Sequence, residues 1–117
     1  MASLVTIHGE PSLELCSDRV RAWLTPRCGM LAPVEFDLDD KRTVAPYSLA
    51  PWTPAEFAID QPSILQLLRG EFFCFPFGNT PGIAGTHGPT ANATWDVIDV
   101  SATTAELGLA STAPAAT

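Results

Sequence analysis

Short runs of alternating apolar and polar residues dominate the first part of the chain. Leu4 to Ile7 is an apolar run that ends in turn chemistry at His8-Gly9-Glu10-Pro11. Leu13, Glu14 and Leu15 alternate as a weak strand. Val20, Ala22 and Leu24 alternate with Arg21 and Trp23, the period-two signature of a half-buried strand, and Pro26 ends it. A cleaner strand opens after Gly29. Met30, Ala32, Val34, Phe36 and Leu38 are predicted on one face, with Glu35 and Asp37 on the other. Pro33 cannot donate to a ladder, so it predicts an edge position or a bulge. Asp39-Asp40-Lys41 is turn chemistry. These signals together predict a meander of short antiparallel strands.

The pattern breaks between Pro46 and Pro62. Pro46, Pro51, Pro54 and Pro62 make an extended loop, and Tyr47, Trp52 and Phe57 are predicted to pin it to the core. Ile64, Leu65, Leu67 and Leu68 have helical spacing. With Asp60 and Pro62 before them and Gly70 after, they predict one short helix near residues 62–69. Glu71 to Phe77 is apolar and aromatic and reads as a buried strand into a turn. Gly78 to Gly85 is a glycine-rich loop. Thr94 to Val100 is a strand of mixed parity, which a bulge or burial on both sides would produce. Ala105, Leu107 and Leu109 give a last strand. Residues 110–117 are small and polar without periodicity, a frayed tail.

Composition narrows the possibilities. A chain of 117 residues holds at most one domain. Eleven prolines and eight glycines favour many turns over long helices. A net charge of −7 argues against nucleic acid and against anionic membrane surfaces, both of which would repel it. The three cysteines, Cys16, Cys28 and Cys74, have neither a disulfide count nor zinc spacing, and they read as reduced, mostly buried thiols. No signal peptide and no apolar run of membrane-spanning length is seen, so a cytoplasmic protein is expected. Asn92-Ala93-Thr94 has the form of a glycosylation acceptor and is read as chance.

Arg69-Gly70, Phe75-Pro76-Phe77-Gly78, His87-Gly88, then Asn92 and Trp95 follow one another in order. This series resembles the sugar-site region of the galactose mutarotase-like superfamily, and most of all the branch with the glucose-6-phosphate 1-epimerases. That branch carries an Arg-Gly-Gly, a Phe-Pro-x-Phe-Gly and a His-Gly-x-x-Arg-Asn-x-x-Trp in this order. The resemblance implies an all-β antiparallel supersandwich that binds a hexose in an open cleft. It covers roughly Leu13 to Leu109, so residues 1–109 are expected to be the N-terminal part of one such domain. It implies substrate-binding roles for Arg69, His87 and Asn92. Neutral imidazole offers one donor and one acceptor, as a sugar hydroxyl does. A guanidinium can fork onto two sugar oxygens, and it can equally bond the last carbonyls of a helix.

Two departures refine this expectation. Ala91 stands where the sugar-phosphate branch has arginine, and alanine cannot hold a phosphate, so a neutral monosaccharide is the expected partner. The family's second histidine and its glutamate, which act as acid and base, would fall beyond Thr117. The chain is therefore expected to bind sugar without catalysing anomer interconversion, and no cofactor is implied. Self-association through uncovered sheet edges is expected of such a portion, with Phe72, Phe73, Phe75, Phe77 and Trp95 the residues short of cover. The competing readings are a non-catalytic carbohydrate-binding or interaction module and a small metal-binding β-barrel. The last would pair His8 with His87, but no carboxylate–histidine spacing supports it. Glu35, Asp37, Asp39 and Asp40 lack the spacing of a calcium loop. Cys74 and His87 could be drawn as a thiol–imidazole pair, but the phenylalanines around Cys74 predict an inert thiol instead.

Overall fold

The protein, a computed structural model, is described over residues 4–39, 41–57, 60–75 and 87–110. It is mostly β. Strands β1 (Leu4–Ile7), β2 (Glu10–Cys16), β3 (Val20–Thr25), β4 (Met30–Asp39) and β5 (Arg42–Val44) form one antiparallel sheet in sequence order. Strands β6 (Asp96–Val100) and β7 (Ala105–Gly108) form a separate hairpin, and one short helix, α1, spans Ser63–Leu67. Pro54–Glu56 and Pro89–Ala91 are single 3₁₀ turns.

Local chemistry accounts for the meander. Ile7 pairs with Glu10, leaving His8 and Gly9 as a two-residue hairpin loop with φ of 52° and 84°. Two positive φ angles in succession make the tight turn whose twist matches the strands, and histidine and glycine both tolerate that region. Glu10 and Pro11 thus belong to β2 rather than to the turn. β5 has no apolar signal of its own. It exists because Arg42–Val44 pairs antiparallel with Phe36–Asp39 of β4.

Of the edge position or bulge expected at Pro33, the structure has the bulge, and it changes what β4 presents. Leu31 faces Leu24 and Val34 faces Ala22, so Ala32 and Pro33 together oppose Trp23 alone. The extra residue reverses the alternation. Met30 joins the core made with Cys28, Ile64, Leu67 and Ala91, whereas Val34 and Phe36 share the face of Leu31. The single apolar face expected for Met30 through Leu38 is therefore corrected to two. Past Val34 the stripe runs into solvent: Phe36 and Leu38 are exposed.

Helix α1 is shorter than the 62–69 span read from spacing, with Pro62 at its N-cap. A helix of this length is not stable alone and depends on packing. Ile64 and Leu67 are buried in the core. Arg27, from the β3–β4 loop, ties it down: its guanidinium bonds Gln66 Oε1 at 2.8 Å and Ser63 Oγ at 3.3 Å and pairs with Glu10 at 3.4 Å. The proline-rich segment before it is held as expected for two of its aromatics. Trp52 stacks on Phe57 at 5.1 Å and donates from Nε1 to the Leu65 carbonyl.

Glu71 to Phe77 is corrected over its described part. Only Glu71 pairs, with Leu31; residues 72–75 are not a strand, Phe72 alone packs on the core, and Phe73 and Phe75 are exposed. Asp40, Pro76, Phe77, the Gly78–Gly85 loop and residues 111–117 of the tail lie outside the described residues. The mixed parity of Thr94–Val100 resolves as a bulge between Val97 and Asp99. Of the strands, β6 is among the most exposed, with Val97 and Ile98 in solvent. No helix among the described residues is long and apolar enough to cross a membrane.

Candidate functional site

The motif residues occupy two places joined by α1. Arg69 follows the helix at a crowded junction. On one side its segment bonds the proline-rich loop, through Gly70 N to Ser48 O and Ala50 N to Leu68 O; on the other, Glu71 and Leu31 exchange backbone bonds. Arg69 itself is only 3% exposed. Its guanidinium donates from Nε to Leu67 O at 2.9 Å, from Nη1 to Ile7 O at 2.8 Å and from Nη2 to His8 O at 3.1 Å. Burial pushes its pKa down from the ordinary value, against an upward pull from Glu10 and Cys28. The fork is thus directed at main-chain carbonyls, one at the helix end and two at the β1–β2 turn.

Asn92 and His87 belong to the second place, the segment from His87 to Trp95. Asn92 Oδ1 accepts from Ile64 N at 3.1 Å, and its Nδ2 donates to Gly88 O at 2.8 Å, so it caps the start of α1 and closes its own loop. Trp95 Nε1 donates to Thr90 O, and Trp95 N and Cys28 N bond Pro26 O and Ala93 O respectively. These bonds hold the segment against the β3–β4 loop. Ala91 is fully buried within the core, so an arginine there would have to displace packed side chains.

His87 stands apart from these braces. It is half-buried at a φ of 67°, followed by Gly88 at 80°. Its ring meets Phe72 edge to face with centroids 5.8 Å apart, and no described residue hydrogen-bonds its imidazole. The neighbouring segment runs alongside: Phe75 N donates to Thr90 Oγ1 at 2.9 Å. The imidazole thus has no hydrogen-bond partner among the described residues, and the segment it meets through Phe72 carries two exposed rings, Phe73 at 59% and Phe75 at 60% exposure. The hydroxyl of Thr90 was not singled out by sequence, and no motif letter points to it. Among the described residues no hydrogen bond, ion pair or ring contact joins Arg69 to His87; α1 and Asn92 lie between them.

Elsewhere, two open grooves of about 310 and 640 Å³ flank the β2–β3 turn, lined among others by Asp18, Arg19, Asp37 and Thr43. Within them Thr43 donates to Asp37, and Arg42 pairs with Asp39 nearby. Among the described residues no group of three His, Cys, Asp or Glu side chains is placed to hold a metal ion. The cysteines are free and differ in setting: Cys16 is exposed, Cys74 half-buried and Cys28 fully buried, so the expectation of mostly buried thiols is corrected for Cys16. Burial pushes the Cys28 thiol up to about 12, with Arg27 opposing the shift. The thiolate is the reactive form. Alkylation of the native protein near pH 8 is therefore expected at Cys16 and not at Cys28, which should label only after unfolding. Peptide mass mapping of a timed iodoacetamide reaction checks this, and early label at Cys28 would contradict its burial.

No protein-family model, curated protein or solved structure matches the chain.

Proposed function

We propose that the protein binds a neutral sugar without chemically converting it, through His87, Phe73 and Phe75, on the pattern of the carbohydrate-binding part of an aldose 1-epimerase-like supersandwich. The observation that carries this reading is the half-buried His87, whose imidazole no described residue hydrogen-bonds, together with the exposed rings of Phe73 and Phe75 on the segment that Phe72 and Thr90 join to the His87 loop. A pyranose has the complementary chemistry. Its hydroxyls need one donor and one acceptor, which a neutral imidazole provides, and its C–H face is apolar enough to lie on an aromatic ring. Thr90, three residues on, adds a hydroxyl whose oxygen accepts from Phe75 N. The order of motif residues around Arg69, His87 and Asn92 supports the same reading from sequence. In it, Asn92 and Arg69 act by position: Asn92 holds the loop on α1 and Arg69 anchors the helix exit to the β1–β2 turn. No pair of groups set as general acid and base is assigned, so the site binds rather than isomerises.

Two-dimensional NMR of labelled protein titrated with glucose and with galactose tests this. Shifts are expected at His87, Thr90 and the amides of residues 72–75. His87→Ala and Phe75→Ala should each weaken binding roughly three- to tenfold while leaving the fold intact, the scale of one hydrogen bond or one aromatic contact. Absence of saturable shifts with either sugar would end the proposal. Polarimetry on the same samples is expected to show mutarotation at the uncatalysed rate, and enzyme-level acceleration would mean that an acid and a base have gone unassigned.

A further inference from the structure

The outward face of the β6–β7 hairpin has a composition found nowhere else in the sheet strands. The bulge sets Val97 opposite Leu107, Asp99 opposite Glu106 and Val100 opposite Ala105. Val100, Ala105 and Leu107 on one side are partly buried, although Val97 on that side is exposed. The other side presents Asp96, Ile98, Asp99 and Glu106, all exposed, with Ile98 lying over Gly108; a Cβ added there would sit 2.6 Å from Ile98 Cδ1. Ile98 is 61% exposed and ringed by three carboxylates.

Two of those carboxylates, Asp99 and Glu106, are directly opposite each other across the strands, a placement that costs stability when like charges share it. No lysine or arginine follows Arg69 in the sequence, and among the described residues neither the Arg27–Glu10 pair nor the Arg42–Asp39 pair reaches this hairpin. Among the described residues no ion pair offsets this repulsion. The hairpin does not depend on its outer face for its shape. Its ends are fixed by Trp95 N bonding Pro26 O and Cys16 N bonding Ala102 O, and its turn by Ser101 Oγ and Thr104 Oγ1 at 2.7 Å.

We propose that this face docks a basic segment of another protein, in which an aliphatic side chain covers Ile98 and lysine or arginine on either side neutralises Asp96 and the Asp99–Glu106 pair. Charge complementarity selects this occupant. A second copy of the chain, at a net charge of −7 and with the same acidic ring, would place carboxylates against carboxylates.

The test uses the whole protein and a short capped peptide alternating lysine and valine, followed by isothermal titration. Saturable binding is expected, weakening about tenfold in the Asp99→Asn/Glu106→Gln double variant and between about 0.05 and 0.5 M salt, where screening shortens the reach of exposed charges. Ile98→Thr, which keeps the β-branch, should weaken it comparably, and circular dichroism should show every variant folded. Loss of the peptide's valines, replaced by serine, should remove most of the affinity. Failure of the lysine–valine peptide to bind would overturn the proposal. So would equal binding of the lysine–serine peptide, unchanged affinity in the variants, or a concentration-dependent dimer that Ile98→Thr disperses. Sugar titration is read at His87 in the same protein, so failure here and failure of the sugar-binding reading are separate results.

Discussion

Gly70→Ala should be among the most destabilising single-methyl changes available in this chain, lowering stability by about 3–5 kcal/mol. Gly70 sits at a φ of 54°, where an L side chain is strained. An added Cβ would stand 1.8 Å from the Leu31 carbonyl oxygen and 2.6 Å from the Ala32 Cβ. The nearest atom is backbone near the start of β4 and is held there by the bonds between Leu31 and Glu71. It cannot move without opening that pairing, and Gly70 N would also be pulled from Ser48 O, at 2.7 Å. A loss of this size is a large part of what a domain of this length has. Urea unfolding measures it, with an expected fall in midpoint at unchanged slope. Gly29→Ala is the control. Its φ is also positive, at 58°, but the nearest atom is Trp95 Nε1 at 2.7 Å, a side chain that can shift. The cost there should be smaller, and equal losses at both positions would mean that backbone strain alone sets the effect.

Arg69→Met should cost about 3–5 kcal/mol, the scale of leaving several buried carbonyls without their donors. The methionine fills similar space, so the loss reports hydrogen bonds rather than a cavity. Three carbonyls, of Leu67, Ile7 and His8, lose their donors in a site where Arg69 is 3% exposed. Arg69→Lys should recover only part, because one ammonium cannot reproduce a planar fork across two chain segments. His87→Ala, by contrast, should leave stability almost unchanged. This contrast separates the two motif residues: one anchors the helix exit, the other is available to a ligand. If Arg69→Met unfolded within about 1 kcal/mol of the parent while sugar affinity fell, the guanidinium would be acting on the ligand instead.

The positions of most elements were legible along the chain because the signals are local. Alternation placed β3 and β4, turn chemistry placed the His8-Gly9 loop, and spacing with Pro62 and Gly70 placed α1 to within a few residues. Pro33 marked the bulge because a residue without an N–H disrupts a ladder wherever it falls. Tertiary structure decided the rest. Whether Met30 and Val34 share a face depends on how many residues of β4 oppose Trp23, which no window on β4 alone reveals. β5 is a strand only because β4 lies beside it. The phenylalanines after Gly70 read as buried by composition, yet Phe73 and Phe75 face solvent because the segment is held by one isolated bridge to Leu31 and one bond to Thr90 rather than by a ladder. Arg69 finds two of its three partners some sixty positions earlier, at Ile7 and His8. Hydrogen-bond donors seek the nearest acceptor in space, and only the folded chain determines which acceptor that is.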